Sequence, residues 1–207
     1  WHYPVVAPDG TVTITDASAR AVAHFRDWKL DALVAIGGDG TMHIANKFCA
    51  LGLPVVGVPK TIDNDLAATD LTFGHYSAVD VATAAIDNLH TTASSHHRVM
   101  VLEVMGRYAG WIALRAGTAG GADIILMPEL PFQWETVFQK VKERAQHGRR
   151  FSIVCVAEGA KCPDVGEVLQ GLDAKRTDPK QLGGVGDVVA RRIAEGTGAE
   201  TRVTVLG

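Results

Sequence analysis

The chain has 207 residues, 47% of them hydrophobic and 21% charged, with a formal net charge of −3. This is the balance of an ordinary soluble globular protein, long enough to bury a sizeable core as one large or two small domains. The slight acidity leaves no basic footprint for nucleic acid, no apolar run reaches membrane-spanning length, and no signal-peptide pattern opens the sequence. The three cysteines, Cys49, Cys155 and Cys162, have neither paired nor metal-ligand spacing. Cys49 and Cys155 sit in apolar stretches and read as buried, inert thiols, which fits a reducing cytoplasm.

In chain order, Tyr3 to Val6 and Thr11 to Thr15 flank Pro8-Asp9-Gly10 and read as a small hairpin. Asp16 is placed to cap a helix through about Trp28, with Ala21, Val22 and Phe25 on one face. From there the pattern alternates. Short apolar strands are expected near 32–36, 54–58, 99–104, 123–127, 151–156 and 201–206. Helices are expected near 41–51, 74–91, 107–118, 133–147 and 184–196. The basic Gly148-Arg149-Arg150 reads as a helix end, where cations complement the dipole. Residues 161–181 are polar and irregular, as in a surface excursion. The strands are continuous apolar runs, the pattern of a parallel sheet with helices on both faces. The fold class is therefore α/β, doubly wound, with ligands at the carboxyl ends of strands.

The informative residues fall at such ends. Val34-Ala-Ile-Gly-Gly-Asp-Gly-Thr41 is a buried strand running into a glycine turn that carries a carboxylate and a hydroxyl. Glycines there let backbone N–H groups approach a phosphate, and the next helix aims its N-terminus at the same spot. Pro59-Lys-Thr-Ile-Asp-Asn-Asp65 packs a lysine, a threonine and two aspartates at the end of the next strand. Taken singly, the first could be a tight strand–helix turn and the second a solvated loop with Asx turns. At successive strand ends they describe a site for polyphosphate, a divalent metal and a proton acceptor, the equipment of phosphoryl transfer.

The pair resembles the 6-phosphofructokinase family. Three further blocks, Val104-Met-Gly-Arg107, Val156-Ala-Glu158-Gly159 and Thr201-Arg202-Val-Thr-Val-Leu-Gly207, are similar to the family's and come in its order. The similarity runs from about Ala32 to Gly207. It implies two similar α/β halves with the active site between them. Residues 1–74 would form the donor-binding half and 75–207 the sugar-phosphate half, with a boundary near Gly74 that composition does not mark. It also implies truncation at both ends. The chain starts at Trp1 rather than methionine, and the family has a further glycine turn before this point and further substrate contacts after Gly207. The 207 residues alone are thus expected to show little or no activity.

The roles follow from residue chemistry and the resemblance together. Asp39 is the candidate Mg2+ ligand, a carboxylate beside a phosphate cradle; capping the next helix is the alternative. Gly38, Gly40 and Thr41 would line the donor phosphates, with Lys60 beside them. Asp63 is the candidate general base. Thr61 would contact substrate, and Asp65 would support the loop or the metal. Arg107 is expected at a helix start, its fork suited to a sugar phosphate or a transferring phosphoryl group. The resemblance assigns Met105, Gly106 and Arg107 to the sugar. Glu158, ending a buried strand, would accept bonds from sugar hydroxyls. Arg202 resembles a phosphate-binding arginine, with an edge-strand salt bridge as the alternative. Arg98 matches an arginine that the family donates to a neighbouring subunit, which implies a homo-oligomer, dimer or tetramer. His96 and His97 read as a solvated loop.

Gly40 and Lys60 pull in different directions on the phosphoryl donor. In the family, Gly at the first position goes with ATP, whereas Asp there with Lys at the second goes with pyrophosphate. Gly leaves room for a nucleotide's α-phosphate, so the expectation is an ATP-dependent, cytoplasmic, allosteric 6-phosphofructokinase of glycolysis, acting on fructose 6-phosphate. A pyrophosphate-dependent enzyme and a catalytically silent fragment or regulatory subunit are the alternatives. Lipid and NAD kinases share Gly-Gly-Asp-Gly-Thr, but the Asp-rich loop and the Met-Gly-Arg block count against them.

Overall fold

The computed structural model describes residues 2–6, 9, 11–172 and 180–206. An antiparallel hairpin of β1 (His2–Val6) and β2 (Val12–Asp16) opens it, as expected; Pro8 and Gly10 of its turn lie outside the described residues. In α1 (Ser18–Asp27) the Asp16 carboxylate accepts from the Ser18 N–H at 2.9 Å. Ala17 occupies the cap position itself, so Asp16 tethers the first turn from one residue further back than a capping residue.

Two parallel sheets follow. The smaller has the order β3-β4-β5, from β3 (Leu33–Gly37), β4 (Val55–Thr61) and the short β5 (Phe73–Gly74). Helix α2 (Asp39–Ala50) packs on it, and Met42 Sδ lies over Gly57 so closely that a β-carbon there would stand 2.7 Å away. Val34, Ile36 and Val56 are exposed. Helices on both faces were expected here; among the described residues these apolar strand side chains have no such cover.

The larger sheet does match that expectation. Its order is β11-β6-β8-β7, all parallel, from β6 (Val99–Val104), β7 (Ile124–Leu126), β8 (Ser152–Ala157) and β11 (Thr201–Val205). Every residue of the central strands β6 and β8 is buried. On one side α3 (His75–His96) and α4 (Trp111–Ala119) pack Ile86, Ile112 and Ala116 against Leu102, Ile153 and Cys155. On the other, α5 (Trp134–Gln146) and α6 (Val185–Thr197) pack Val137, Val141, Val189 and Ile193 against Val101, Val154 and Val156. Continuous apolar strands are what burial on both faces demands.

Three details depart from the sequence reading. Residues 161–181 are not wholly irregular: β9 (Leu169–Leu172) pairs antiparallel with β10 (Lys180–Leu182), and Cys162 bridges Gly166, while 173–179 lie outside the described residues. His96 is not in a loop but is the last residue of α3, and His97 ends that helix in the left-handed conformation, φ 56°. Cys49 is exposed, in the last turn of α2, so an apolar neighbourhood in sequence did not translate into burial. Cys155 is buried as expected, and burial pushes its thiol up to about 12; Cys162, also buried, is pushed up to about 11.

Candidate active site

Within each parallel sheet the carboxyl ends lie at one edge, so the residues just past β3 and β4 share one edge and those just past β6 and β8 share another. Asp63 of the first group interacts with Arg107 of the second. At the end of β3, Gly37 lies under the Thr41 side chain, and Gly38 is the residue before α2. Asp39 is the first residue of α2, exposed, and makes no capping bond, so the capping alternative is not what the fold uses. A β-carbon on Gly40 would meet nothing within 4 Å, so the space beside it is open. A β-carbon on Gly38 would come within 3.3 Å of Thr61 Cβ; the glycine turn and the end of β4 are in contact. Lys60, one residue earlier on β4, is exposed.

Thr61 links that turn to the Asp-rich loop. Its hydroxyl accepts from the Asp63 N–H at 3.3 Å. Burial, then the charge of Asp65, raises the Asp63 carboxyl above its ordinary value of 3.8, while Arg107, Thr61 and His75 pull it back down. The loop is fixed on either side of Asp63. Asn64, left-handed at φ 55°, accepts the Thr72 N–H on its side-chain oxygen at 2.8 Å and the Thr72 hydroxyl at 3.3 Å. His75 Nδ1 lies 2.7 Å from the Ile62 carbonyl oxygen.

The β6 and β8 ends complete the group. Gly106 takes φ 144°, a conformation that side chains resist, and a β-carbon there would stand 2.8 Å from the Ala109 carbonyl. Glu158 N–H donates to the Val104 carbonyl at 2.9 Å, and Gly159 N–H to the Gly106 carbonyl at 3.0 Å, which stitches the two strand ends together. Burial raises the Glu158 carboxyl above its usual range; the Gly106 N–H and Arg107 oppose that, and Asp63 and Glu103 add to it. Asp63, Arg107 and Glu158, three residues that the sequence placed at or just past the ends of separate strands, thus sit within electrostatic reach of one another. Arg107 is not at a helix start, as was expected: α4 begins four residues later, at Trp111, and Arg107 stands in the connecting loop. Met105 is 40% exposed and lines, with Ile62, Gly74, Val104 and Leu206, an apolar cavity of about 380 Å3 beside this cluster.

Arg98 and Arg202 are elsewhere. Both bond the Glu200 carboxylate, at 2.9 and 2.8 Å, at the amino ends of β6 and β11. The six-residue β6 separates them from Arg107 by roughly 20 Å. The salt-bridge alternative for Arg202 is therefore realised within this chain, and neither arginine joins the cluster of its own chain.

Sequence reading missed Glu103, Thr72 and His75. Glu103 is buried in β6, and its two oxygens accept the Gly184 N–H at 3.1 Å and the Gly186 N–H at 2.7 Å at the start of α6. A carboxylate at a helix N-terminus suits the dipole. The single signal for it was a charge inside an otherwise apolar strand.

Among the described residues no three His, Cys, Asp or Glu side chains cluster as a metal site. A lone exposed carboxylate beside open space fits Mg2+, which takes one or two carboxylates, several waters and substrate phosphates rather than an all-protein cage. Asp39 meets that description. No described helix is long and apolar enough to cross a membrane.

A glycine turn, a helix N-terminus and clustered carboxylates at the carboxyl ends of parallel strands define an α/β protein with a candidate site at those ends. The particular family is shown by comparison: the phosphofructokinase family's sequence profile matches residues 10–207, and the chain belongs to that family. It is 50% identical, over 100% of its length, to an ATP-dependent 6-phosphofructokinase 2 of Clostridium perfringens, covering 57% of that protein. It is 55% identical, over 87% of its length, to a pyrophosphate–fructose 6-phosphate 1-phosphotransferase of Amycolatopsis methanolica, covering 53% of it. The phosphofructokinase structure from Saccharomyces cerevisiae superposes with a TM-score of 0.74 at 32% identity, over 92% of this chain and 27% of that one. The chain spans about half the length of the curated relatives it matches.

Proposed function

We propose that the protein to which this chain belongs is an ATP-dependent 6-phosphofructokinase. It would transfer the γ-phosphoryl group of ATP to the 1-hydroxyl of fructose 6-phosphate, in glycolysis. The observation that carries this reading is the convergence of Asp63, Arg107 and Glu158 next to the Gly38–Thr61 contact. In this reading that contact joins the phosphate cradle to the backbone that carries the proton acceptor.

In this reading Gly38, Gly40 and Thr41 receive the donor phosphates at the start of α2, and Lys60 adds positive charge. Mg2+ held by Asp39 would neutralise charge on the donor's β- and γ-oxygens. Asp63 takes the proton of the sugar hydroxyl as that oxygen bonds to the γ-phosphorus. The bond from γ-phosphorus to the β,γ-bridging oxygen breaks, and ADP leaves with the electron pair. Arg107 stabilises the transferring group, and Met105, Gly106, Thr61 and Glu158 orient the sugar phosphate. Asp65 supports the loop, its charge helping to keep the base from being too weakly basic. The halves 1–74 and 75–207 serve donor and sugar respectively, and β5 ends at Gly74, where that boundary was placed. Arg98 and Arg202, roughly 20 Å from their own cluster, are positioned to serve a second copy, so the protein acts as a homo-oligomer. A cytoplasmic enzyme under allosteric control fits these roles.

The second reading, a pyrophosphate-dependent phosphotransferase, is favoured by Lys60 and by the relative of that name in Amycolatopsis methanolica. The open space at Gly40 favours ATP over it. The test is kcat/KM of the full-length protein for fructose 6-phosphate with each donor; a preference for pyrophosphate would overturn the donor assignment.

A further inference from the structure

His75 is fully buried, the first residue of α3, and follows Gly74, which is left-handed at φ 107°. Its Nδ1 lies 2.7 Å from the Ile62 carbonyl oxygen. A carbonyl can only accept, so Nδ1 carries the proton and donates. This tautomer leaves Nε2 as an acceptor, and Nε2 is buried with no hydrogen-bond partner among the described residues. An unmet polar atom in a sealed site destabilises the fold, and a phenyl ring would fill much the same volume without it. What the imidazole adds is the link to Ile62, the residue immediately before Asp63.

We propose that His75 is a positioning residue of the phosphoryl-transfer site, clamping the backbone at Ile62 so that the Asp63 carboxylate is held for proton abstraction. The clamp is one of a pair. Asn64, on the other side of Asp63, is bonded to Thr72 at 2.8 Å, so the aspartate is suspended between two fixed neighbours. Both anchors, Thr72 and His75, belong to the segment that leads into α3, so the loop is tied to the start of that helix. Asp65, Arg107 and Glu158 are the charged groups that face Asp63. Arg107 and Thr61 ease ionisation of Asp63 against burial and Asp65.

This inference rests on Asp63 as the base, so the experiment separates the two. In the full-length protein, His75→Phe, His75→Asn and Asp63→Asn are compared with the parent in kcat and in KM for fructose 6-phosphate. His75→Phe is expected to lower kcat by about 10- to 100-fold, the scale of a small misplacement of a catalytic group, with KM nearly unchanged. His75→Asn, which can still donate to Ile62, recovers much of the loss. Nitrogen-15 NMR of the parent should find the His75 proton on Nδ1. Parental kcat in His75→Phe, or a proton on Nε2, would overturn the clamp while an inactive Asp63→Asn leaves the base in place. Parental turnover in Asp63→Asn would overturn the base itself.

Discussion

Gly159 lies so close to the Arg107 carbonyl that a β-carbon on it would overlap that oxygen. The strand end bearing Glu158 and the loop bearing Arg107 therefore touch backbone to backbone. Gly159→Ala must push the two apart, and overpacking of this kind destabilises by about 1–3 kcal/mol. Because the displaced atoms carry Arg107, kcat/KM for the sugar phosphate is expected to fall by more than the loss of stability explains. Thermal melting and steady-state kinetics on the same preparation check both parts; unchanged kinetics would mean that Arg107 acts from elsewhere.

Asp63→Asn is expected to lower kcat by ~10²–10⁴, the usual scale for loss of a general base, with a far smaller change in KM. Coupled assays of the full-length protein measure it.

The same carboxyl makes a stability prediction of opposite sign. Its folded-state value is raised above 3.8, chiefly by burial, so the folded chain holds its proton more tightly than the unfolded one. Stability from this group is present at low pH and is lost as pH rises from about 3.8 through the raised value. Asn cannot ionise. Asp63→Asn should therefore melt higher than the parent at neutral pH and lose that advantage in acid. In the parent, activity falls as pH drops through the raised value, on the acid side of the kcat profile. A lower melting temperature for the mutant at neutral pH would contradict the assigned cause.

Gly40→Asp tests the donor cleanly, because its side chain enters space with nothing within 4 Å and so should not disturb the fold. A carboxylate within ~4 Å of a phosphate repels it by several kcal/mol at the effective dielectric of a protein surface. kcat/KM for ATP is expected to drop sharply, and that for pyrophosphate much less. Lys60→Gly should weaken both donors alike. Intact ATP use in Gly40→Asp would make Lys60 the better guide to the donor.

Glu103→Gln keeps the shape of the side chain but turns an NH2 toward one of the two N–H groups that the carboxylate now accepts at the start of α6. Hydrogen bonds to charged groups are worth about 1.5–3 kcal/mol, so the variant should lose about 2 kcal/mol in urea unfolding. A loss within error of zero would show that α6 does not depend on Glu103.

Local pattern determined much of this protein. Continuous apolar runs at 99–104 and 151–156 announced strands buried on both faces, and β6 and β8 are buried throughout, because a strand sealed by helices on either side admits no polar face. The glycine turn at Gly37–Gly40 and the aspartates after β4 were legible because their chemistry lies in consecutive residues. What the sequence could not carry was encounter. Arg107 and Glu158 meet because β6 and β8 end at one edge of their sheet, and Asp63 reaches them from the loop after β4 of the other sheet, a fact of tertiary structure rather than of any window of residues. Arg98 and Arg202, in motifs that look equally catalytic, end at the opposite edge on Glu200 for the same reason. Cys49 and His75 show the limit from both sides. An apolar neighbourhood left the thiol exposed, and a polar ring among ordinary helix residues is sealed against the Asp-rich loop. Burial is decided by what arrives from elsewhere in the chain, and only the folded structure brings it there.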